Sequence, residues 1–489
     1  MSALARYYRH EGYTVAGYDR TPSDLTHALE AEGISICYED NPTLLPFAPE
    51  GLTVVWTPAV PKDTRMWQYL SAHGAHIQKR AEALGAITAT KKALCVAGTH
   101  GKTTTSTILA HLLTEAISHW PLAIGKSMTA FLGGISENYH TNYYIANSQQ
   151  PMANGDEYVV VEADEFDRSF HHLRPYMTVV TSVDPDHLDI YGTPEAYRES
   201  FEHYISLVQD TIVLKYGLQD ILHLPAESQK PEAGSAQKRQ LLTYSAEDTR
   251  ADYYASDIIT AEGSIRFDLH HPHGVIRGIQ LGVPVWVNIE NSIAAAAVFL
   301  QLAFSHWPLA DGRQQQIEEV LREGLASFAG VHRRFNIHVK TPQVVYIDDY
   351  AHHPQEIASS ILSVRKLYPE RHLIGIFQPH LYTRTRDFAD GFAEVLATLD
   401  EVILLPIYPA REMPIAGVDS EMLLRLIESR KPQTASHSAQ ACVMSKEELL
   451  ATIGEHARQK QPVAVLTIGA GDIDRLVGAI AQELNELAN

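Results

Sequence analysis

The sequence predicts an α/β fold of mainly parallel sheets with flanking helices, and three observations lead there. Short apolar, β-branched runs alternate with helical stretches along the chain, the pattern of strands joined by crossover helices. One such run, ALCVAG at 93–98, leads straight into G-T-H-G-K-T-T-T and then a helical stretch, STILAHLLTEA. The length of 489 residues suits about three domains at roughly 150 residues each.

The expected strands are 13–19, 52–58, 93–98, 157–164, 178–183, 211–215, 344–350, 372–378, 401–407 and 462–469. Residues 79–92 read as a helix leading into the third of these, which places a boundary near 90. The segment 225–240, PAESQKPEAGSAQKRQ, is polar with Pro and Gly and reads as an exposed insertion. Residues 329–334 separate a helix, IEEVLREGLASF, from a new run of strands. The expected domains are therefore 1–90, 91–328 and 329–489. No internal repeat is visible.

Composition narrows the function. The chain is 45% hydrophobic and 20% charged, the make-up of a soluble globular protein. Lys and Arg total 39 against 59 Asp and Glu, a net charge of −20. No nucleic-acid or anionic-membrane partner is expected, since both need a broad basic face. Anionic small molecules need only a local site. Cys37, Cys95 and Cys442 are far apart and odd in number, so a reducing cytoplasm is expected rather than a disulfide framework or zinc site. MSALARYYRHEG is polar too early for a secretory signal. The apolar run from Ile293 to Phe304 is shorter than the about 20 residues a membrane span takes.

The glycine loop is the first chemical motif. Gly98 and Gly101 let backbone N–H groups approach a phosphate. The following helix start adds free amides and a favourable dipole. Lys102 can reach the β- and γ-phosphates, and the Thr103 hydroxyl can ligate Mg²⁺. The loop departs from G-x-x-x-x-G-K-[ST], because Val96 stands where its first glycine belongs.

Two acidic strand ends follow. VVVEADEFDRSF (159–170) and VVTSVDPDHLDIYG (179–192) place carboxylates where α/β proteins hold Mg²⁺. Further on, VVYIDDYAHHPQEI (344–357) offers Asp348 or Asp349 for ribose hydroxyls. IFQPHLYTRTRDF (376–388) loads a strand end with His380, Arg384 and Arg386, and arginine forks grip carboxylates well. GVHRRFN (330–336) supplies Arg333 and Arg334, and an arginine can stabilise charge on a transferring phosphoryl group.

Together these motifs resemble the Mur ligase family. The shortened G-x-x-G-K-T-T, E-A-D-E, D-x-D-H, R-R-F, D-D-Y-A-H-H-P, F-Q-P-H-L-Y-T-R-T and A-R-E-x-P all have counterparts there, and the resemblance runs from Met1 to about Asp474. It implies an ATP-binding loop of Gly98, Thr99, His100, Gly101, Lys102, Thr103 and Thr104, with Mg²⁺ on Thr103, Glu162 and His187. It further implies Asn288 and Asn291 near adenine, Asp349 at the ribose and Arg334 at the γ-phosphate. His352, His380 and Arg384 fall to the amino acid, with His352 the candidate to take the amine proton. The central domain resembles a phosphate-loop ATPase, with the third domain closing on ATP.

Two departures refine the resemblance. Val287 replaces a histidine of the adenine segment, and Phe201 stands where several family members carry a carbamylated lysine. The branch that adds the first amino acid lacks that lysine. The expected activity is ATP-dependent joining of L-alanine to the lactyl carboxylate of UDP-N-acetylmuramate through an acyl phosphate, in peptidoglycan synthesis. A monomer or weak homodimer is expected. The resemblance also implies a first strand and glycine-rich turn ahead of Met1, roughly 20 residues by analogy with a βα unit. Of the UDP-sugar contacts, Asp19 remains, at the end of a strand. Two alternatives stay open: a ligase that recycles tripeptide, and a non-catalytic ATP-binding protein lacking that first strand.

Overall fold

A computed structural model describes residues 1–57, 60–119, 127–147, 156–224, 239–261, 263–306, 313–410, 412–430, 440–460 and 462–486. Each of the ten expected runs overlaps a strand, from Ala16–Tyr18 to Val463–Ile468, although the run at 178–183 catches only the end of Pro175–Val180. The expected helix at 79–92 is Arg80–Thr90. Most of the expected insertion at 225–240 lies outside the described residues. The fold is α/β, as expected, and the chain forms two compact units. One comprises Met1–Tyr254, Leu269–Ile276 and Asn291–Gly324; the other comprises Ala255–Asp268, Arg277–Glu290 and Leu325–Asn489.

Among the described residues, the larger sheet has ten strands. Across it they run Gly274–Gln280, Ser264–His271, Tyr253–Ala261, Gln240–Ser245, Thr211–Lys215, Pro175–Val180, Lys92–Ala97, Glu157–Glu162, Ser127–Ser136 and Thr141–Asn147. Lys92–Ala97 is buried along almost its whole length, which explains its unbroken apolar run. It pairs in parallel with both neighbours, Val96 opposite Glu162 and Ala97 opposite Val180. The carboxyl ends of these three strands therefore share one edge, where α/β sheets bind ligands. The far edge is closed by an antiparallel pairing of Ser127–Ser136 with Thr141–Asn147.

The N-terminal helix Ser2–His10 inserts Leu4 and Tyr7 into the core beneath this sheet, with the Tyr7 ring 5.5 Å from Phe131. The remaining N-terminal strands form two parallel ladders. Ala16–Tyr18 pairs with Ser35–Cys37, and Thr53–Trp56 pairs with His76–Lys79. Phe201 is fully buried, edge-on to Phe170 at 5.1 Å; it is a core residue.

One expectation changes. The apolar run from Ile293 belongs to a longer helix, Trp286–His306. Its span Trp286–Ser305 is long and apolar enough to cross a membrane by length and composition. Most of that span is buried inside the protein, so the fold itself covers the apolar surface.

The smaller sheet runs Asn336–Lys340, Val344–Asp349, Val463–Ile468, His372–Phe377, Glu401–Leu404 and Gln440–Val443. All pairings are parallel except the first, an antiparallel edge. Asp349 and Phe377 both pair opposite Ile468, so the loops after these strands emerge from one edge.

Candidate active site

The phosphate loop is shaped by backbone that tolerates no side chain. Gly98 and Gly101 have φ of +133° and +80°, conformations that favour glycine. A Cβ on Gly98 would lie 2.1 Å from Thr181 Oγ1, and one on Gly101 would lie 2.8 Å from Asn291 Oδ1. The adjacent strand end braces the loop. The His100 N–H donates to Ser182 Oγ at 2.9 Å and the Thr99 hydroxyl to the Asp184 carbonyl at 2.7 Å. Thr181 donates to the His100 carbonyl. Helix Lys102–His119 then begins with Lys102, Thr103 and Thr104 in its first turn.

Lys102 points back into its own loop. Its ammonium donates to the Gly98 carbonyl at 2.5 Å, the Thr99 carbonyl at 3.3 Å and Glu165 Oε1 at 2.8 Å. Glu165 is only 3% exposed. Burial pushes its carboxyl up to about 7, with Lys102 pulling the other way. The sequence reading missed Glu165. Its only signal was a place in an acidic run, E-A-D-E, that also contains Glu162.

Glu162 ends the neighbouring strand. Among the described residues its buried Oε2 has no hydrogen-bond partner, and a Cβ on Gly133 would sit 2.0 Å from that oxygen. A buried, uncompensated carboxylate oxygen in a glycine cradle suits a cation. Gly133 was also missed, although paired glycines inside a strand signal close approach. His187 has a positive φ of 53°. Its backbone N–H donates to Asp186 Oδ1 at 2.7 Å, and its ring stands edge-on to Phe166 at 5.1 Å. Among the described residues, no three His, Cys, Asp or Glu side chains converge on one cation position. That arrangement is compatible with Mg²⁺, which binds through one or two carboxylates plus substrate phosphates.

The other expected residues divide by position. Asn291 is buried and accepts from Thr105 at 3.3 Å. Asn288 is buried too, and its amide donates to the Val283 carbonyl at 3.2 Å. Val287 is exposed. Asp19 follows the strand Ala16–Tyr18 and caps a turn, accepting from the Thr21 N–H at 3.1 Å.

At the edge of the smaller sheet, paired residues separate by partner. Asp348 is 1% exposed and fully engaged. Arg333 Nε donates to it at 3.2 Å and Thr467 at 2.8 Å. Arg333 also donates to the Gly469 carbonyl at 2.6 Å. Asp349 accepts from the Ser360 hydroxyl, and burial pushes its carboxyl up to about 6 while Ser360 and Arg334 oppose. Arg334 lies over the Tyr350 ring at 5.1 Å. Arg333 and Phe335, on either side of it, have positive φ of 60° and 56°. Such backbone persists only where its surroundings hold it.

His352 and His380 have ring centroids 6.4 Å apart. Glu356 accepts from the His352 N–H at 3.0 Å. Burial pushes the His352 imidazole below its ordinary value, with Glu356 opposing and Arg384 adding. Burial, then Arg384, pushes His380 down to about 4. Arg384 Nη1 lies 3.4 Å from His380 Nδ1, a contact that a neutral imidazole can accept. Arg386 instead pairs with Asp387 at the surface. The carboxylate of Glu412 accepts from the Thr383 N–H at 3.0 Å, tying the A-R-E-x-P loop to this cluster; Arg411 lies outside the described residues.

Comparison with known proteins covers the whole chain. Residues 1–92 match the Mur ligase family catalytic domain, 96–299 the Mur ligase middle domain and 333–471 the Mur ligase glutamate ligase domain. UDP-N-acetylmuramate–L-alanine ligase of Porphyromonas gingivalis is 48% identical over 100% of this chain and 97% of its own. The same-named protein of Flavobacterium johnsoniae is 41% identical over 99% and 96%. Among solved structures, UDP-N-acetylmuramate–alanine ligase from Thermotoga maritima superposes with a TM-score of 0.72 at 24% identity, covering 99% of this chain and 96% of that one. A murein peptide ligase from Psychrobacter arcticus gives 0.61 at 21% identity, covering 100% and 96%. With three family domains matched in order and full-length relatives near half identity, the chain belongs to the Mur ligase family and has its three-domain α/β architecture.

Proposed function

We propose that this protein is an ATP-dependent ligase that joins L-alanine to the lactyl carboxylate of UDP-N-acetylmuramate in peptidoglycan synthesis. The observation that carries the reading is 48% identity, over the whole chain, to a protein of that name. The site chemistry supports it. ATP phosphates take the loop from Gly98 to Thr104, where backbone amides and Lys102 meet negative charge. The lactyl carboxylate attacks the γ-phosphorus and ADP leaves, giving an acyl phosphate. The amine of L-alanine then attacks the acyl carbon, phosphate leaves, and the amine gives up a proton.

Charge decides the division of labour. Two anions must meet in the first step, so Lys102 and Arg334 are assigned to neutralise the phosphoryl group. With Arg333 and Asp348 engaged with each other, Arg334 and Asp349 are the pair assigned to ligand. Arg384 is assigned to the alanine carboxylate. His352, held neutral by burial, is assigned the amine proton. Glu162, with Thr103 and His187, would hold Mg²⁺, which would supply charge stabilisation for phosphoryl transfer.

The domains proposed for these roles are 1–90 for UDP-sugar, 91–328 for ATP and 329–489 for the amino acid. A cytoplasmic monomer or weak homodimer completes the proposal. Phosphate release from ATP and UDP-N-acetylmuramate tests it. Stimulation by L-alanine supports the reading. Stimulation by tripeptide alone favours the recycling ligase, and nucleotide binding without turnover favours a non-catalytic protein.

A further inference from the structure

The ammonium of Lys102 has three donors, and all three are used inside the protein. Two go to the carbonyls of Gly98 and Thr99, the loop that should cradle phosphate, and one to Glu165. The lysine side chain is 13% exposed and the glutamate 3%, with 2.7 Å between Nζ and Oε2. Glu165 cannot easily follow the lysine elsewhere. Its carbonyl accepts from the buried Tyr191 hydroxyl and from the Arg168 N–H. Two consecutive positive-φ residues, Asp167 and Arg168, fix the turn after it. The backbone of Glu165 is thus anchored on both sides of its pairing with Lys102.

We propose that Glu165 is a positioning residue that holds Lys102 against its own loop and competes with nucleotide phosphates for it. Binding ATP must strip Lys102 from at least one internal acceptor. Where that acceptor is Glu165, a buried carboxylate is left short of its cation, a cost set against nucleotide affinity. When the phosphoryl group has gone and ADP remains, re-pairing of Lys102 with Glu165 favours release. Glu165 therefore weakens nucleotide binding and sustains turnover. A residue that merely supported the fold, or that ligated a metal, would do neither in that combination.

This inference rests on the loop being the ATP site, so the test begins with calorimetry of ADP against the unaltered chain in EDTA. No binding there would overturn the ATP reading itself. With binding established, Glu165→Gln is expected to bind ADP about tenfold tighter without Mg²⁺. It should also show lower kcat and stronger product inhibition by ADP. Glu165→Asp, which keeps the charge, should recover much of the kcat. Weaker or unchanged ADP affinity in a folded Glu165→Gln protein overturns the proposal. Should that variant not fold, an ADP-bound crystal structure of the native chain decides: Lys102 Nζ moved from Glu165 to a phosphate oxygen supports it. Nζ still on Gly98, Thr99 and Glu165 overturns it.

Discussion

At the phosphate loop the backbone does the shaping, whereas at the edge of the smaller sheet side chains do. Gly98 and Gly101 leave no room for a Cβ, and the loop's polar atoms are bonded to the strand end at 181–184. The second cluster instead assembles side chains: burial and the Arg384 charge push the His352 and His380 imidazoles down, and burial pushes the Asp349 carboxyl up. The difference teaches where tolerance lies. A backbone-built site fails when atoms are added, and a side-chain-built site fails when charge or reach is altered.

The strongest way to break the comparison is to remove function from the first region without disturbing its fold. Glu162→Ala is expected to lower turnover by roughly 10³-fold. Among the described residues its buried Oε2 has no hydrogen-bond partner, so no bond there is lost. The melting temperature should not fall. A marked fall would make Glu162 a fold residue and end its assignment to a cation. Gly133→Ala tests the same cradle from the other side by adding one methyl group 2.0 Å from that oxygen. Pushing Glu162 aside should misplace the cation it is proposed to hold and cost about 10²-fold in kcat, measured by phosphate release.

The second region should respond to chemistry rather than size. Arg384→Lys keeps a positive charge but exchanges a planar fork for a point charge. We expect the KM for L-alanine to rise about tenfold, with the KM for ATP unchanged. A rise in the ATP term alone would move Arg384 out of the amino-acid subsite.

The sequence carried the backbone-built half well. Strands buried on both faces, such as Lys92–Ala97 and Val344–Asp349, read as continuous apolar runs. Gly98 and Gly101 announce their loop because only glycine suits those φ values. Strands with one wet face were missed. Ser264–His271 buries alternate residues but hides that period behind Arg, Asp and two histidines. The side-chain-built half was legible as a set of residues, not as a division of labour. Nothing in D-D or R-R tells which member is internal; only the Arg333–Asp348 pairing at 3.2 Å does. Nor does E-A-D-E tell that its last glutamate is the one that holds Lys102.

Neutral histidines allow the finest test, because both regions contain them for different reasons. His111, on the phosphate-loop helix, is 3% exposed and bonded to the Tyr139 hydroxyl at 2.7 Å. Burial pushes it down to about 4, opposed by a hydrogen bond to the Gly324 backbone. His380 is pushed to a similar value by burial and Arg384 together. In each case the folded protein binds fewer protons than the unfolded chain between the folded value and about 6.5. Stability is therefore complete above pH 6.5 and is lost as pH falls towards 4. For His111 the loss by pH 5 is on the order of 2 kcal/mol. His111→Gln should flatten the fall in melting temperature between pH 7 and 5 by a few degrees and leave the pH profile of kcat unchanged. Arg384→Lys, which leaves a cation near His380, should leave both curves close to those of the native chain. If His111→Gln instead shifts the kcat profile, this histidine belongs with the chemistry rather than the packing, and the two regions share one titration.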